Sequence, residues 1–142
     1  MAVRTAPETA TTPSLFADGR RFLKLALRVD AVVTGANGLA YLALAGPLER
    51  LLGLDAAVGR GLGAFLVVFA IAVAALSMPA RAPRLAVHAV IEMNVLWSVL
   101  SVVAVATGWL DLNAVGATWA VMQAGTVGAF AAAQFIAIRR AD

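Results

Sequence analysis

The sequence predicts an all-α protein, a bundle of four transmembrane helices with both termini on the cytoplasmic side. The first observation is composition: 62% of the 142 residues are hydrophobic and 13% are charged, whereas soluble domains are about half apolar and about a quarter charged. The mean hydropathy is accordingly high, at +0.89. The second observation is distribution, because long stretches with few charges alternate with short polar or basic segments, as in multi-pass membrane proteins.

The apolar stretches define a membrane domain over residues 29–138. Its predicted spans are 29–48, 61–78, 85–107 and 114–138, and each approaches the length that crosses a hydrocarbon core of about 30 Å at about 1.5 Å per residue. The first span is expected to stop at Gly46-Pro47, because proline ends a helix. Short segments join the spans and contain the remaining turn-forming residues.

Two segments precede the first span. Residues 1–14 are small, polar and interrupted by proline, so they are predicted to form a disordered cytoplasmic tail. Residues 15–28 form a basic juxtamembrane segment. We favour its interpretation as the basic flank of the first span, because its apolar positions are too few to define a face. The alternative is a short amphipathic helix that lies on anionic lipid.

The orientation follows from the basic residues, which favour the cytoplasmic side of a membrane. Of the 11 lysine and arginine residues, the four-span arrangement leaves only Arg50 and Arg60 outside. The others, all placed inside, are Arg4, Arg20, Arg21, Lys24, Arg28, Arg81, Arg84, Arg139 and Arg140. This pattern predicts a multi-pass protein of the inner (plasma) membrane with both termini cytoplasmic.

The same charges argue against nucleic acid as a partner. The sequence pI is about 10.6, but the net charge is only +3. The basic residues flank apolar spans, whereas nucleic-acid-binding proteins gather them in a patch with interleaved aromatic residues.

A weak internal repeat is visible at an offset of 57 residues. Asn37-x-Leu39 recurs as Asn94-x-Leu96, and Ala57-Val58-Gly59 recurs as Ala114-Val115-Gly116. The alternative to a simple four-helix bundle is therefore a pair of helical hairpins related as parallel repeats.

Polar residues form stripes on the predicted spans. On the first span the stripe consists of Asp30, Thr34, Asn37 and Tyr41, and on the fourth of Gly116, Trp119, Gln123, Thr126, Phe130 and Gln134. On the third span Asn94, Ser98 and Ser101 share one face, and His88 and Glu92 share another. Lipid cannot satisfy polar groups, so these stripes are expected to face protein, water or a ligand. Since most of these residues lie toward the cytoplasmic ends of the spans, we predict a polar pocket that faces the cytoplasm.

The third span contains the residue that most needs an explanation, Glu92. An ionisable side chain at membrane depth is costly and often functional. Either Glu92 is a ligand-binding or proton-coupling acid, or it has a structural role, paired with His88 or protonated. Asp30 is expected to form an interfacial charge pair with Arg28. The residues predicted to bind a ligand or couple to it are Glu92, Asn94, Asn37, Trp97, His88 and Gln123.

The sequence offers no catalytic or cofactor-binding constellation. With one histidine and no cysteine, neither a zinc nor a haem site is predicted. No glycine-rich phosphate loop and no serine with an evident base are present. We therefore expect no cofactor, no metal and no catalysis.

Several short motifs resemble those of the small four-helix integral membrane proteins of high-GC bacteria, a largely uncharacterised group. They are Arg28-x-Asp30, Asn37-Gly38-Leu39, Leu51-Leu52-Gly53-Leu54, Asn94-x-x-Trp97, Gln123-Ala124 and Gln134. The resemblance extends over about residues 25–138 and implies the fold but no activity. The small multidrug-resistance transporters have a similar size, but their essential glutamate lies in the first helix, where this chain has Asn37.

Two functions remain open from the sequence. The first is a non-catalytic membrane protein with a structural or partner-binding role, which packs with itself or with another membrane protein in the lipid bilayer. The alternative is a proton-coupled carrier or binder of a small cationic or amphipathic compound, in which Glu92 exchanges the proton.

Overall fold

The computed structural model describes residues 18–141, and within this range the chain forms five α-helices and no strand. The prediction of an all-helical protein is confirmed. The predicted disordered tail, residues 1–14, lies outside the described residues, as do residues 15–17 of the basic segment.

Helix α1 (Gly19–Ala43) begins ten residues before the predicted first span. Its start is fixed by Asp18, whose carboxylate accepts hydrogen bonds from the backbone N–H groups of Arg20 (3.1 Å) and Arg21 (3.5 Å), as N-capping residues do. Leu23 and Leu27 of the basic segment are buried. Residues 19–28 therefore continue into the membrane domain as part of one helix and do not form a separate surface helix.

The chain bends by 95° between α1 and α2 (Ala45–Leu52). The sequence predicted one span that continues to residue 48. Instead α1 ends at Ala43, and Pro47 lies in the first turn of α2, where a missing N–H costs no helical hydrogen bond. Gly53 follows α2 with φ +76°, a left-handed conformation that glycine adopts without strain.

The remaining helices are α3 (Ala56–Leu76), α4 (Arg84–Thr107) and α5 (Ala114–Arg140). Asp55 caps α3 by accepting from the N–H of Ala57 at 2.7 Å, and Asn113 caps α5 by accepting from the N–H of Gly116 at 2.8 Å. These helices overlie the three later predicted spans.

The helices are arranged as two hairpins. The most extensive pairs are α1 with α3 and α4 with α5, and the contact of α1 with α5 joins the two hairpins. The pair α3 and α4 has the least contact. This arrangement is compatible with a duplicated hairpin, which remains a prediction.

Helices α1 and α3 approach each other closely at two glycines, Gly38 and Gly63. A Cβ atom built on Gly38 would lie 2.9 Å from the carbonyl oxygen of Gly63, and one built on Gly63 would lie 2.7 Å from the carbonyl oxygen of Gly38. Real side chains do not tolerate such distances, so the small residues permit the backbones to pack directly.

Three helices, α3, α4 and α5, are long and apolar enough to cross a membrane, and α1 with α2 would form a fourth, bent span. Many large apolar side chains on these helices are exposed, including Val32, Val68 and Leu85 at 71%, 68% and 85%. A soluble protein rarely exposes so much apolar surface. The chain is thus a helical membrane protein with three or four candidate spans.

Candidate functional site

The centre of the bundle contains a carboxyl group, that of Asp30, which is completely buried. Its Oδ1 accepts a hydrogen bond from the hydroxyl of Thr34 at 2.8 Å. Its Oδ2 accepts from Asn94 Nδ2 and from Gln134 Nε2, both at 2.7 Å. Asn94 Nδ2 also donates to Gln134 Oε1 at 3.1 Å. We call these four residues the Asp30 cluster.

The Asp30 cluster joins three helices. Asp30 and Thr34 lie one turn apart on α1, so their side chains share a face. Asn94 comes from α4 and Gln134 from α5, and all four side chains are buried. No buried side-chain nitrogen or oxygen in residues 18–141 lacks a hydrogen-bond partner. The cluster is therefore a closed network.

The expected charge pair between Asp30 and Arg28 does not form. Arg28 is exposed, and the carboxyl group of Asp30 is instead hydrogen-bonded by Thr34, Asn94 and Gln134. A buried charge without an opposite charge is costly, and hydrogen bonds offset only part of this cost. Asp30, and not Glu92, is therefore the acid whose burial needs an explanation.

Two further hydrogen bonds continue along the interface between α1 and α5. Asn37 Nδ2 donates to Gln123 Oε1 at 3.2 Å, and Trp119 Nε1 donates to the hydroxyl oxygen of Tyr41 at 2.9 Å. Together with the bond from Gln134 to Asp30, they connect the polar stripe of the first predicted span to that of the fourth. We call these three bonds the α1–α5 ladder. Of the three environments expected for the stripes, namely protein, water or a ligand, these residues face protein.

A small cavity of about 20 Å³ adjoins the Asp30 cluster, with walls from all four long helices. Its polar wall includes Thr34, Asn37, Asn94 and Gln123. This volume accommodates about one water molecule and no organic compound.

Aromatic side chains line the cavity between α3 and α4, the pair of long helices with the least contact. The ring of Phe65 stacks on Trp97 with the centroids 5.8 Å apart and the planes at 4°, and on Phe69 with the centroids 6.1 Å apart. The stack of Phe65 on Trp97 is thus a direct contact between the two helices.

The structure brings together four of the six residues predicted for the site. Asn37, Asn94, Trp97 and Gln123 all line the cavity. Glu92 is exposed and His88 is half-buried, and neither lines the cavity. Glu92 and His88 form no ion pair with each other.

Sequence reasoning did not assign Asp30 and Gln134 to the site. The signal that could have found Asp30 is its membership in the polar stripe with Thr34 and Asn37, which places it on the inner face of α1. The proximity of Arg28 along the chain outweighed that signal, although Arg28 lies on another face. Gln134 belongs to the polar stripe predicted on the fourth span. Nothing in the sequence, however, pairs it with Asp30, a residue 104 positions away.

The chemistry of the site is that of oxygen and amide groups. Within residues 18–141, no group of three or more histidine, cysteine, aspartate or glutamate residues is arranged to hold a metal ion. The cluster offers one acid, two amides and one hydroxyl group, which suit hydrogen bonding, proton exchange or neutralisation of a cation.

Comparison of the chain with protein-family models, with curated proteins and with solved structures finds no match.

Proposed function

We propose that this chain is a non-catalytic multi-pass membrane protein with a structural or partner-binding role, in which buried polar side chains fix how the helices assemble. The observation that carries the proposal is the Asp30 cluster, in which a buried carboxyl group accepts three hydrogen bonds from α1, α4 and α5. In a membrane the alternative for these groups is contact with lipid, so their mutual satisfaction favours one arrangement of helices.

The arrangement supports four crossings. The start of α1 packs against the end of α5, where Gly19 meets the backbone of Arg140. At the other end of the bundle, the backbone N–H of Asn113 donates to the carbonyl of Leu52, the last residue of α2, at 3.1 Å. Helix α1 therefore runs beside α5 along most of its length, as a fourth spanning helix would.

The distribution of basic residues in the folded chain supports the orientation proposed from the sequence. Apart from Arg50 and Arg60, the basic residues of the described part of the chain lie at the end of the bundle that contains Gly19, the turn between α3 and α4, and Arg140. By the preference of basic residues for the inner side, this end is cytoplasmic and the membrane is the plasma membrane.

Replacement of the amides tests the structural role. We expect Asn94→Leu to lower the free energy of unfolding by about 1–3 kcal/mol, because it leaves Gln134 Oε1 without a donor and removes one of the two donors to Asp30 Oδ2. Asn37→Leu should cost less, since Asn37 donates one bond at a partly buried site. The measurement is unfolding of the purified protein in mixed micelles.

The matched control is Ser101→Ala. The Ser101 hydroxyl donates to the carbonyl of Trp97 in its own helix at 2.7 Å, so its loss should leave assembly unchanged. If Asn94→Leu were as stable as the control, the cluster would not hold the helices together.

A second function, a proton-coupled carrier or binder of a small cationic compound, is favoured by one specific observation. Asp30 is a completely buried carboxyl group with no basic partner among the described residues, and Thr34 and Asn94 connect it to the cavity. A proton or a cationic ligand would neutralise it. The cavity is too small for a ligand, so transport would require separation of α3 from α4 at the Phe65–Trp97 stack.

Uptake of ethidium into proteoliposomes under a pH gradient tests this second function. If the protein is a carrier that uses Asp30, Asp30→Asn abolishes uptake while Glu92→Gln retains it. The reverse result would restore Glu92 as the coupling acid. Uptake at the wild-type rate by both variants would exclude both acids from coupling.

A further inference from the structure

We propose that a second pocket, at the basic end of the bundle, binds the phosphate group of an anionic phospholipid. This pocket shares no residue with the Asp30 cluster or with the cavity beside it. The proposal therefore does not depend on which of the two functions above is right.

The pocket is formed where three parts of the chain meet: the first turns of α1, the turn between α3 and α4, and the end of α5. Its volume is about 140 Å³, which corresponds to several water molecules. It is thus considerably larger than the cavity beside the Asp30 cluster and has room for a tetrahedral anion.

Charge is the strongest indication of what the pocket binds. Four of the described residues that line it are basic, namely Arg20, Lys24, Arg81 and Arg84, and none of the described lining residues is acidic. Arg20, Lys24 and Arg81 form no ion pair with a carboxylate of the described residues. Like charges brought this close repel one another, and an anion between them relieves the repulsion. Guanidinium groups in addition bind phosphate oxygens through paired, charge-assisted hydrogen bonds.

The apolar part of the pocket favours a lipid over a free anion. Below the basic rim, the wall consists of Leu23, Leu27 and Ile138, which belong to the hydrophobic core. A rim of positive charge above an apolar wall matches an amphiphile, whose phosphate lies at the rim and whose glycerol and acyl groups lie against apolar side chains. Inorganic phosphate would gain nothing from these three residues.

The depth of the pocket agrees with a lipid headgroup. Arg84 begins α4 and Ala141 directly follows α5, and both helices are long and apolar enough to span a membrane. The ends of such helices lie at the level of the headgroups, where basic pockets between helices recognise anionic lipids.

The opposite end of the bundle lacks this character. There Arg50 and Arg60 are accompanied by Glu49, Asp55 and Asp111. A general preference for anionic lipid would arise from any basic surface, so the test must separate the pocket from the basic residues around it.

The experiment measures binding of dioctanoyl phosphatidylglycerol to the purified protein in detergent by native mass spectrometry. Dioctanoyl phosphatidylcholine and inorganic phosphate are the comparison ligands. The pocket variant is Arg20→Gln/Lys24→Gln/Arg81→Gln. The control variant, Arg21→Gln/Arg28→Gln/Arg139→Gln, removes the same charge from the same end of the bundle at positions that do not line the pocket.

We expect the wild-type protein to bind phosphatidylglycerol more tightly than phosphatidylcholine. The pocket variant should lose at least about tenfold in this affinity, given the contribution of each basic side chain near a lipid phosphate, and the control should change by about twofold or less. Equal losses in the two triple variants would reduce the site to diffuse attraction and overturn the proposal. Inorganic phosphate that binds as tightly as the lipid would also overturn it.

A single substitution at an exposed position tests the proposal even if the triple pocket variant does not fold. Arg81 lies in the turn between α3 and α4 and is exposed, so Arg81→Glu should fold and should bind phosphatidylglycerol more weakly than Arg28→Glu. If the two single variants bind the lipid equally, the pocket is not the site.

Discussion

At the scale of single residues, Asp30 and Glu92, the two acids placed at membrane depth, occupy opposite environments. Asp30 is completely buried and accepts three hydrogen bonds. Glu92, which lies two residues before Asn94 on α4, is exposed on the outside of the bundle. The difference is one of helical phase: Asn94 faces α1 and α5, and a residue two positions earlier is rotated by about 200°. Glu92 therefore faces the surroundings of the bundle.

Replacement by leucine should affect stability differently at Asp30 and at Glu92. We expect Asp30→Leu to lower the free energy of unfolding by about 2–3 kcal/mol, because Asn94 and Gln134 lose their common acceptor. Glu92→Leu should leave stability unchanged or raise it, since it replaces an exposed acid on an apolar surface. Thermal unfolding in detergent measures both.

A large loss of stability in Glu92→Leu would contradict this account. It would mean that Glu92 makes a contact that the isolated chain does not contain, such as one with a second copy or with a membrane partner.

At the scale of helices, much of the bundle could be predicted and the path of the first helix could not. Runs of apolar residues predict α3, α4 and α5 because hydrophobicity is a local property of the chain. The start of α1 depends on Asp18 as a cap and on burial of Leu23, and the second of these requires knowledge of the neighbouring helix. The sequence predicts the end of the first helix a few residues too late, because a proline usually ends a helix, whereas Pro47 lies in the first turn of the next helix.

The candidate site, too, could be predicted only in part from the sequence. The polar stripes of α1 and α5 follow from helical periodicity, and the structure pairs them in the α1–α5 ladder. Which stripe residues meet does not follow, because Asp30 bonds to residues 64 and 104 positions away. Helical phase also separates Asn94 from Glu92, but the face that turns inward is known only once the packing is known.

The crossing of α1 and α3 supports a prediction about glycine. Gly38→Ala should lower the free energy of unfolding by about 1–3 kcal/mol, because its Cβ would meet the backbone of Gly63 and Val67 at 2.9 Å. The matched control is Gly125→Ala on α5, where a Cβ would meet no atom within 4 Å. The control should be neutral or slightly stabilising, since alanine favours a helix more than glycine does.

Unfolding in mixed micelles distinguishes the two glycine variants. Equal stability of Gly38→Ala and Gly125→Ala would show that α1 and α3 do not pack backbone to backbone at Gly38.

At the scale of the whole molecule, charge and polarity are distributed along one axis. The basic pocket lies at one end, the Asp30 cluster lies deeper between α1, α4 and α5, and the acidic loops lie at the other end. Both proposed functions and the lipid site require that α1 crosses the membrane, because only then does Asp30 reach the interior while Arg20 and Lys24 remain at the surface.

The most direct measurement of this central claim is labelling of single cysteines with a membrane-impermeant maleimide, in a chain that has no cysteine of its own. The positions are Arg21→Cys and Ala80→Cys at the basic end, and Leu51→Cys and Asp111→Cys at the other. The account predicts that the first two are labelled from the cytoplasmic side and the last two from the opposite side. Labelling of Arg21→Cys and Leu51→Cys from the same side would contradict it.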